Sequence, residues 1–345
     1  MPQRSRQRPP QIGDVAGMAG VSRQTVSNAL NVPEKLRPDT LQRVLTAVHE
    51  LGYQPNRAAR SLRRRQSMLV GLRINPARPD RAGSLLDRFL HALVEHSRGS
   101  GYHILPFTPG DPEDEISGLA ELLGSTAVDA FILTETRRDD VRVDWLVTQG
   151  APFVAFGRPW GERRPRHAWV DVDGAAGTAM AVDHLVDRGH RRIGFLGWSA
   201  DSDLGKDRHT GWATACQRHG ADSLGLVAHC LDNARDGAAA AAYLLDLDDP
   251  PTALVCASDT LALGALATLG ARGLRPGRQV AVTGFDDSPT AAVIPLGLTS
   301  VHQPLEAAAE AIVKRLDGVL SGTLAAGLSG LGQLLIPSLA VRGTT

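Results

Sequence analysis

The chain has 345 residues, which suits two or three domains, and its 43% apolar content is enough to build a full hydrophobic core. No apolar run approaches the roughly 20 residues that a membrane-spanning helix requires, and the Arg- and Pro-rich N-terminus has no apolar signal segment. Three scattered cysteines form neither a disulfide framework nor a metal-binding spacing. Membrane proteins and disulfide-rich secreted proteins are thereby excluded, and a cytoplasmic protein without cofactor or metal is predicted.

The formal net charge of zero, from 37 basic and 37 acidic residues, conceals an asymmetry between the two ends of the chain. Residues 1–66 contain twelve Arg and Lys against four Asp and Glu, a net charge of +8, so the remaining residues carry −8. A basic head on an acidic body indicates a polyanionic partner for the head and a separate task for the body.

The head is predicted to contain three helices. The first occupies about residues 11–19 and ends at Gly20, and Ser22 is a suitable N-cap for a second helix from Arg23 to Leu30. A third helix is predicted over 38–51, with Leu45 on its inner face. A helix, a tight turn, a short helix and a longer helix form the helix-turn-helix arrangement that binds DNA.

The second helix has one apolar side and one side suited to DNA. Val26, Ala29 and Leu30 form the apolar stripe, which leaves polar side chains to reach base edges or phosphates in a major groove. These are Ser22, Arg23, Gln24, Thr25, Ser27 and Asn28. A solvated face of a small bundle would have the same composition, but the charge of the head favours DNA.

The segment after the head is short, basic and mildly amphipathic. Residues 55–65 read PNRAARSLRRR, and so short a helix is marginal alone in water. The segment is either a charged linker or a hinge helix that orders on DNA, with Leu62 as a wedge between minor-groove base steps.

After Gln66, short apolar strands alternate with helices, which indicates βαβ units and parallel sheets. The predicted strands of the first half are Met68–Ile74, Tyr102–Phe107, Ala130–Thr134 and Ala151–Gly157, with helices Leu85–Arg98 and Asp114–Leu123. The second half has helices Gly174–Arg188, Asp207–His219, Gly237–Leu245 and Thr260–Arg272, with strands Arg192–Gly197, Leu226–Cys230, Ala253–Ala257 and Gln279–Phe285. Two similar halves predict a clamshell with a ligand between them.

Ligands of open α/β sheets lie beyond the carboxyl ends of the strands, so polar residues at those ends are candidates for the binding site. They include Arg158, Asp259 and Asp286, and Arg208 begins a helix behind Trp198. An aromatic platform with Asp and Arg partners for hydroxyl groups would suit a sugar, and a nucleobase is not excluded. Each residue alone could equally be a cap, a turn residue or the edge of a core.

The head and the segment after it resemble those of the lactose-repressor (LacI/GalR) family of transcriptional regulators. Residues 12–31 read IGDVAGMAGVSRQTVSNALN and residues 51–62 read LGYQPNRAARSL, with the spacing of that family. The resemblance implies that Arg23, Gln24 and Asn28 read bases, although many members have Arg in place of Asn28. It adds four hinge residues as DNA contacts: Asn56, Arg57, Ala59 and Leu62.

The body resembles the same family in several blocks, among them RHTGW at 208–212 and GFDD at 284–287, whereas the first half matches less well. The resemblance implies that Arg208 and Asp286 contact an effector, with Asp259 and Gln303 in support. The predicted effector-binding residues are Arg158, Trp160, Asp173, Trp198, Arg208, Asp259, Asp286 and Gln303.

The predicted fold is a small all-α helix-turn-helix head followed by an α/β two-lobed, periplasmic-binding-protein-like (type I) effector domain. The head occupies 1–53, the hinge 54–66, and the effector-binding and dimerisation domain 67–345. The resemblance implies three crossings between the lobes. Lobe 1 would then comprise about 67–168 and 298–330, and lobe 2 about 169–297 and 331–345.

The resemblance implies a cytoplasmic, nucleoid-associated repressor that binds a palindromic double-stranded DNA operator as a homodimer. No Leu heptads follow the final strand, which favours a dimer. The GRPW turn at 157–160 resembles sugar-responsive actinobacterial members, so a sugar effector is favoured. The alternatives are a purine or nucleoside effector and, more distantly, a sugar-processing enzyme on an α/β clamshell. No P-loop, GxSxG or HExxH motif supports the enzyme.

Overall fold

A computed structural model describes residues 8, 10–54, 66–74, 84–108, 114–162, 165–198, 202–324 and 331–345. The chain divides into two compact units, Met1–Ser67 and Met68–Thr345. The division falls beside Gln66, where the basic part of the sequence ends.

The first unit is a three-helix bundle, as predicted. Its helices are α1 (Ile12–Ala19), α2 (Arg23–Asn31) and α3 (Pro38–Leu51), with a 3-10 turn at Pro33–Lys35. α1 ends at Gly20, whose φ of 63° lies in the left-handed region that glycine adopts without steric penalty.

The core of this bundle contains fully buried valines from all three helices: Val15, Val26 and Val44. Leu45, predicted to face inward, is 42% exposed, whereas Ala47 is buried. The buried stripe of α3 passes through Val44 and Ala47, and Leu45 lies one residue, or about 100°, to the side of it.

The second unit contains two six-stranded sheets flanked by helices, which confirms the predicted α/β class. The strands of the first sheet are β1 (Leu69–Arg73), β2 (His103–Phe107), β3 (Ala130–Leu133), β4 (Phe153–Phe156), β5 (Ala168–Val172) and β11 (Gly332–Leu335). Those of the second are β6 (Ile193–Gly197), β7 (Val227–His229), β8 (Ala253–Cys256), β9 (Ala281–Asp286), β10 (Thr299–His302) and β12 (Ser338–Ala340).

The helices of this unit lie between successive strands, and within each sheet they connect parallel strands, which require long crossovers. Those of the first half are α4 (Ser84–Ser100), α5 (Ser117–Gly124) and α6 (Val141–Gln149). They are followed by α7 (Gly174–Asp187), α8 (Asp203–His219), α9 (Ala234–Leu245), α10 (Asp259–Ala271), α11 (Pro289–Val293) and α12 (Leu305–Leu320).

The two sheets define two lobes. Lobe 1 has the strand order β11-β5-β4-β3-β1-β2, all parallel, and lobe 2 has the order β12-β10-β9-β8-β6-β7, in which only β12 is antiparallel to its neighbour β10. Lobe 1 has a hydrophobic core on each face of its sheet, and α4 and α12 pack on one face. The chain passes between the lobes after β5, after β10 and after β11.

The crossings lie a few residues beyond the boundaries expected at 168, 298 and 330. β5 belongs to lobe 1 because it pairs with β4, with Phe156 beside Val170, and β10 belongs to lobe 2 because it pairs with β9. β11 pairs with β5 and therefore lies in lobe 1 as well. The boundaries depend on which strands pair with each other, and the hydrophobic pattern of a single strand does not reveal its neighbours.

Candidate functional site

The N-terminal end of α2 presents a polar surface in the first unit. The Ser22 hydroxyl accepts a hydrogen bond from the Thr25 N–H at 3.1 Å and so caps the helix, as the sequence predicts. Ser22, Arg23 and Gln24 are exposed, and Thr25, Ser27 and Asn28 are half-buried. This arrangement leaves the first turn of α2 open to a partner.

Two contacts orient the side chains of this surface. Gln24 Nε2 donates to Asn28 Oδ1 at 3.0 Å, so the two amides form one unit along the helix face. The Arg23 guanidinium lies across α1 at Gly13, where an added Cβ would approach its Nη2 to 3.1 Å. Arg23, Gln24 and Asn28 are therefore displayed together. The predicted contacts Asn56, Arg57, Ala59 and Leu62 lie outside the described residues.

The second unit brings together Arg208, Asp286, Gln303 and Trp198 at the carboxyl ends of the lobe 2 strands. Arg208 is 3% exposed, donates to the carbonyl of Ala257, and its Nη1 lies 3.8 Å from Asp286 Oδ1. Gln303 Nε2 donates to the same Asp286 oxygen at 2.7 Å. A guanidinium, an amide and a carboxylate therefore converge where lobe 2 faces Arg88 of lobe 1, and Arg208, Asp286, Gln303 and Trp198 are called the cleft floor below.

Asp286 is held in an uncommon backbone conformation. Its φ is 109° and that of Asp287 is 47°, both in the left-handed region, and such strain persists only where the surroundings impose it. Arg88, from α4 of lobe 1, donates to both backbone carbonyls at 3.2 Å. The Asp287 carboxylate is bound by Arg342 at 2.6 Å and by His302 at 3.0 Å. The turn is thus held by Arg88 of lobe 1 through its backbone and by Arg342 and His302 of lobe 2 through the Asp287 side chain.

Both predicted tryptophans carry an arginine over one ring face. The Arg208 guanidinium carbon lies 4.9 Å from the Trp198 ring centroid and 3.6 Å from that of Phe285, and Arg158 lies 4.7 Å from Trp160. Within the described residues, the buried Arg208 Nε and Trp198 Nε1 have no hydrogen-bond partner. Buried donors without acceptors are costly, so these two groups have hydrogen-bonding capacity left for a ligand or a water molecule.

Asp286→Asn is expected to alter the pH dependence of unfolding. Burial raises the pKa of the Asp286 carboxyl from 3.8 to about 7, against the opposing charge of Arg208. A raised pKa in the folded protein contributes stability that is present below the ordinary pKa and lost as the pH rises through about 7. The free energy of unfolding of the wild type, relative to Asp286→Asn, should therefore fall from about pH 4 to about pH 8.

Urea denaturation of both proteins at a series of pH values measures this difference. The exposed Asp248→Asn serves as the matched carboxylate-to-amide control. A wild-type–variant difference that stays constant across the pH range would contradict the desolvation of Asp286.

The remaining predicted residues are engaged by the protein itself. Asp173 caps α7 by accepting the Ala176 N–H at 2.9 Å. Asp259 is 3% exposed, and its two oxygens accept bonds from Ser300 and Ser288. These contacts support a role for both carboxylates in positioning the strand ends.

Arg158 is also engaged, and its partners were not predicted. It donates to Asp171 at 2.5 Å and approaches Asp207 at 3.3 Å. Another missed residue is Asp232, whose negative charge acts on both Arg208 and Asp286. Asp232 lies between the end of β7 and Asn233, the N-cap of α9. A search for polar residues just after the strands could therefore have identified it.

In the ranges that the structure describes, no helix is long and apolar enough to cross a membrane. The same ranges hold no group of three or more His, Cys, Asp or Glu side chains that could bind a metal ion.

Residues 11–56 match the profile of bacterial regulatory proteins of the lacI family, and residues 182–345 match that of the periplasmic binding protein-like domain. The transcriptional regulator CelR of Thermobifida fusca is 34% identical over 324 residues, covering 92% of this chain and 94% of that protein.

Two solved structures extend the comparison. A CelR–cellobiose complex is 30% identical with a TM-score of 0.74, over 97% of this chain and 100% of that one. The lac repressor dimer bound to operator and the anti-inducer ONPF is 26% identical with a TM-score of 0.82, over 98% of this chain and 99% of that one. The chain therefore belongs to the lacI family of bacterial regulatory proteins, a family of DNA-binding transcriptional regulators rather than enzymes.

Proposed function

We propose that this regulator is a repressor whose affinity for its operator is controlled by a sugar bound between the lobes. The observation that carries the proposal is the convergence of Arg208, Asp286 and Gln303 on the floor of the cleft, beside Trp198. A carboxylate accepts hydrogen bonds from hydroxyl groups, and a guanidinium and an amide donate to them. Neighbouring sugar hydroxyls, which donate and accept, match this set.

The arrangement favours a sugar over a purine. Arg208 covers one face of both Trp198 and Phe285, so hydrogen-bonding groups rather than free ring faces dominate the floor. A nucleobase would require an exposed aromatic ring on which to stack, and amide-like hydrogen-bond partners along the edge of the base. The complex of CelR with cellobiose, a disaccharide, lends support to a mono- or disaccharide effector here.

For the DNA-binding part, Arg23, Gln24 and Asn28 read base edges in the major groove, and Ser22, Thr25 and Ser27 contact the backbone. Two copies of the chain bind the halves of a palindrome in the cytoplasm, at the nucleoid. Residues 54–66 form the hinge, in which Asn56, Arg57 and Ala59 contact the minor groove and Leu62 separates base steps.

Effector binding draws the already touching lobes closer together and disfavours the ordered hinge, which releases DNA. A ligand shifts such an equilibrium only by its different affinities for the two states. The cleft-floor residues of lobe 2 supply that difference if they bind the effector more tightly when lobe 1, which contacts the Asp286 turn through Arg88, is drawn closer.

Calorimetric titration of the full chain with a sugar panel and a purine panel tests the effector class. The sugar panel includes cellobiose and maltose, and the purine panel includes hypoxanthine, guanine and adenosine. A member of the sugar panel is expected to bind, and its binding is expected to be lost in Asp286→Ala but kept in Asp248→Ala, a matched change on the exposed surface. Binding of a purine and of no sugar would overturn the sugar assignment.

A further inference from the structure

Arg158 bridges the two lobes. It follows β4 of lobe 1, and Asp207 lies in the second turn of α8 in lobe 2. Its guanidinium approaches the two oxygens of Asp207 at 3.3 and 3.4 Å. On its own lobe it donates to Asp171 at 2.5 Å and to the carbonyl of Val172 at 3.2 Å. One cation is therefore shared by carboxylates from opposite lobes.

The bridge is shielded from solvent. The side chains of Arg158, Asp171 and Asp207 are 20%, 9% and 11% exposed, and Trp160 lies against the guanidinium. Ion pairs of this burial are screened less than surface pairs, and each partner is costly to leave unpaired. Burial raises the pKa of both Asp171 and Asp207, and the charge of Arg158 opposes that rise.

Asp207 is also fixed to the place where the chain enters lobe 2. Its Oδ2 accepts the Ala175 N–H at 3.0 Å, in the first turn of α7, directly after the crossover from β5. A Cβ at Gly174 would lie 2.8 Å from that oxygen, so the close approach needs glycine at this position. The next residue of α8, Arg208, belongs to the cleft floor. Asp207, which pairs with Arg158, and Arg208, which lies beside Asp286, are thus adjacent residues of one helix.

We propose that Arg158 and Asp207 form a latch that holds the two lobes together and positions Arg208 opposite lobe 1. The inference rests on the proposed function for the meaning of lobe closure. Both are positioning residues, and the role differs from the direct effector contact that the sequence predicted for Arg158.

The lobes also meet where the Arg138 N–H donates to Asp203 at 2.8 Å and where Arg88 braces the Asp286 turn. The Arg138 guanidinium also lies 3.8 Å from the Asp203 carboxylate but is exposed, whereas the charged side chains of the latch are shielded from solvent. Replacing one charge by a neutral isostere therefore isolates the latch. Asp207→Asn keeps an oxygen to accept the Ala175 N–H and replaces the charged oxygen that faces Arg158 Nη1 with an amide NH2 group, which cannot accept its hydrogen bond.

The distance between the lobes can be measured by pulsed electron resonance on the full chain without any sugar. Nitroxide labels are attached at Glu121→Cys in lobe 1 and Asp248→Cys in lobe 2, both exposed, with Cys230→Ser in the background. Cys216 and Cys256 are fully buried and do not react with the label. The matched control is Asp183→Asn, which removes the ion pair between Asp183 and Arg218, on α7 and α8, within lobe 2.

The latch predicts a narrow distance distribution in the wild type and in Asp183→Asn, and a broader one shifted to longer distances in Asp207→Asn. Arg158→Gln should produce the same change, and the double variant should add little, because the two residues act as one pair. Unchanged distances in a folded Asp207→Asn, or additive effects in the double variant, would overturn the latch. Because no sugar is present, this result is independent of the sugar and purine titrations that decide the proposed function.

Discussion

Arg208→Ala is expected to weaken effector binding by at least about 100-fold, because truncation of a buried, hydrogen-bonded charge is among the largest single effects at a binding site. Arg208 lies beside Asp286 on the cleft floor, and its Nε is buried without a partner among the described residues. Without sugar, operator binding should stay within about twofold of the wild type, since the DNA-reading residues lie in the first compact unit and Arg208 in the second. The variant would be a repressor that sugar no longer releases.

The control for this prediction lies on the same helix. Lys206→Ala removes an exposed cation two residues before Arg208 and should leave the sugar response unchanged. Since Arg208 also binds the Ala257 carbonyl, circular dichroism must show that the variant is folded, and Arg208→Lys provides a milder second change. A folded Arg208→Ala that still binds the sugar with wild-type affinity would remove Arg208 from the site.

Gln24→Ala is expected to reduce specific operator affinity by about 100-fold, because a base contact contributes ~1–3 kcal/mol and a dimer uses two copies. Gln24 is exposed at the first turn of α2 and hydrogen-bonded to Asn28. Its truncation therefore removes one base contact and also the hydrogen bond that orients the Asn28 side chain for another. The head should remain folded, since its core depends on Val15, Val26 and Val44.

Gln42→Ala is the matched control, because it truncates an exposed glutamine on α3 rather than on α2. Fluorescence anisotropy on operator and on unrelated DNA separates sequence reading from phosphate attraction. An equal loss on both DNAs would show that Gln24 contributes to general binding only.

The head could be predicted closely from the sequence because its signals are local. Ser22 caps α2, Gly20 takes a positive φ at the end of α1, and Val26 and Ala29 are buried. The apolar pattern alone puts Leu45 on the wrong side, because the neighbouring residues Val44 and Leu45 of α3 are both apolar, and only packing against the other helices decides which of them is buried.

The lobes were predictable as a class, but their boundaries and the latch were not. β5 reads AWVDV, and nothing in those residues states that its neighbour is β4 rather than a strand of lobe 2. Arg208 and Asp286 were identified through the strand-end rule and the family resemblance. Asp207, by contrast, is one more acidic residue on a helix, and only the fold places it against Arg158.

In the proposed function, a sugar bound between the lobes controls operator affinity. Operator affinity of the full chain, measured by fluorescence anisotropy with and without each sugar, tests this claim most directly. The DNA is first obtained by selection from random duplexes. We expect a palindromic operator and at least a tenfold loss of affinity, ~1.4 kcal/mol, with one of the sugars that bind by calorimetry. An operator affinity that no sugar changes would contradict the account.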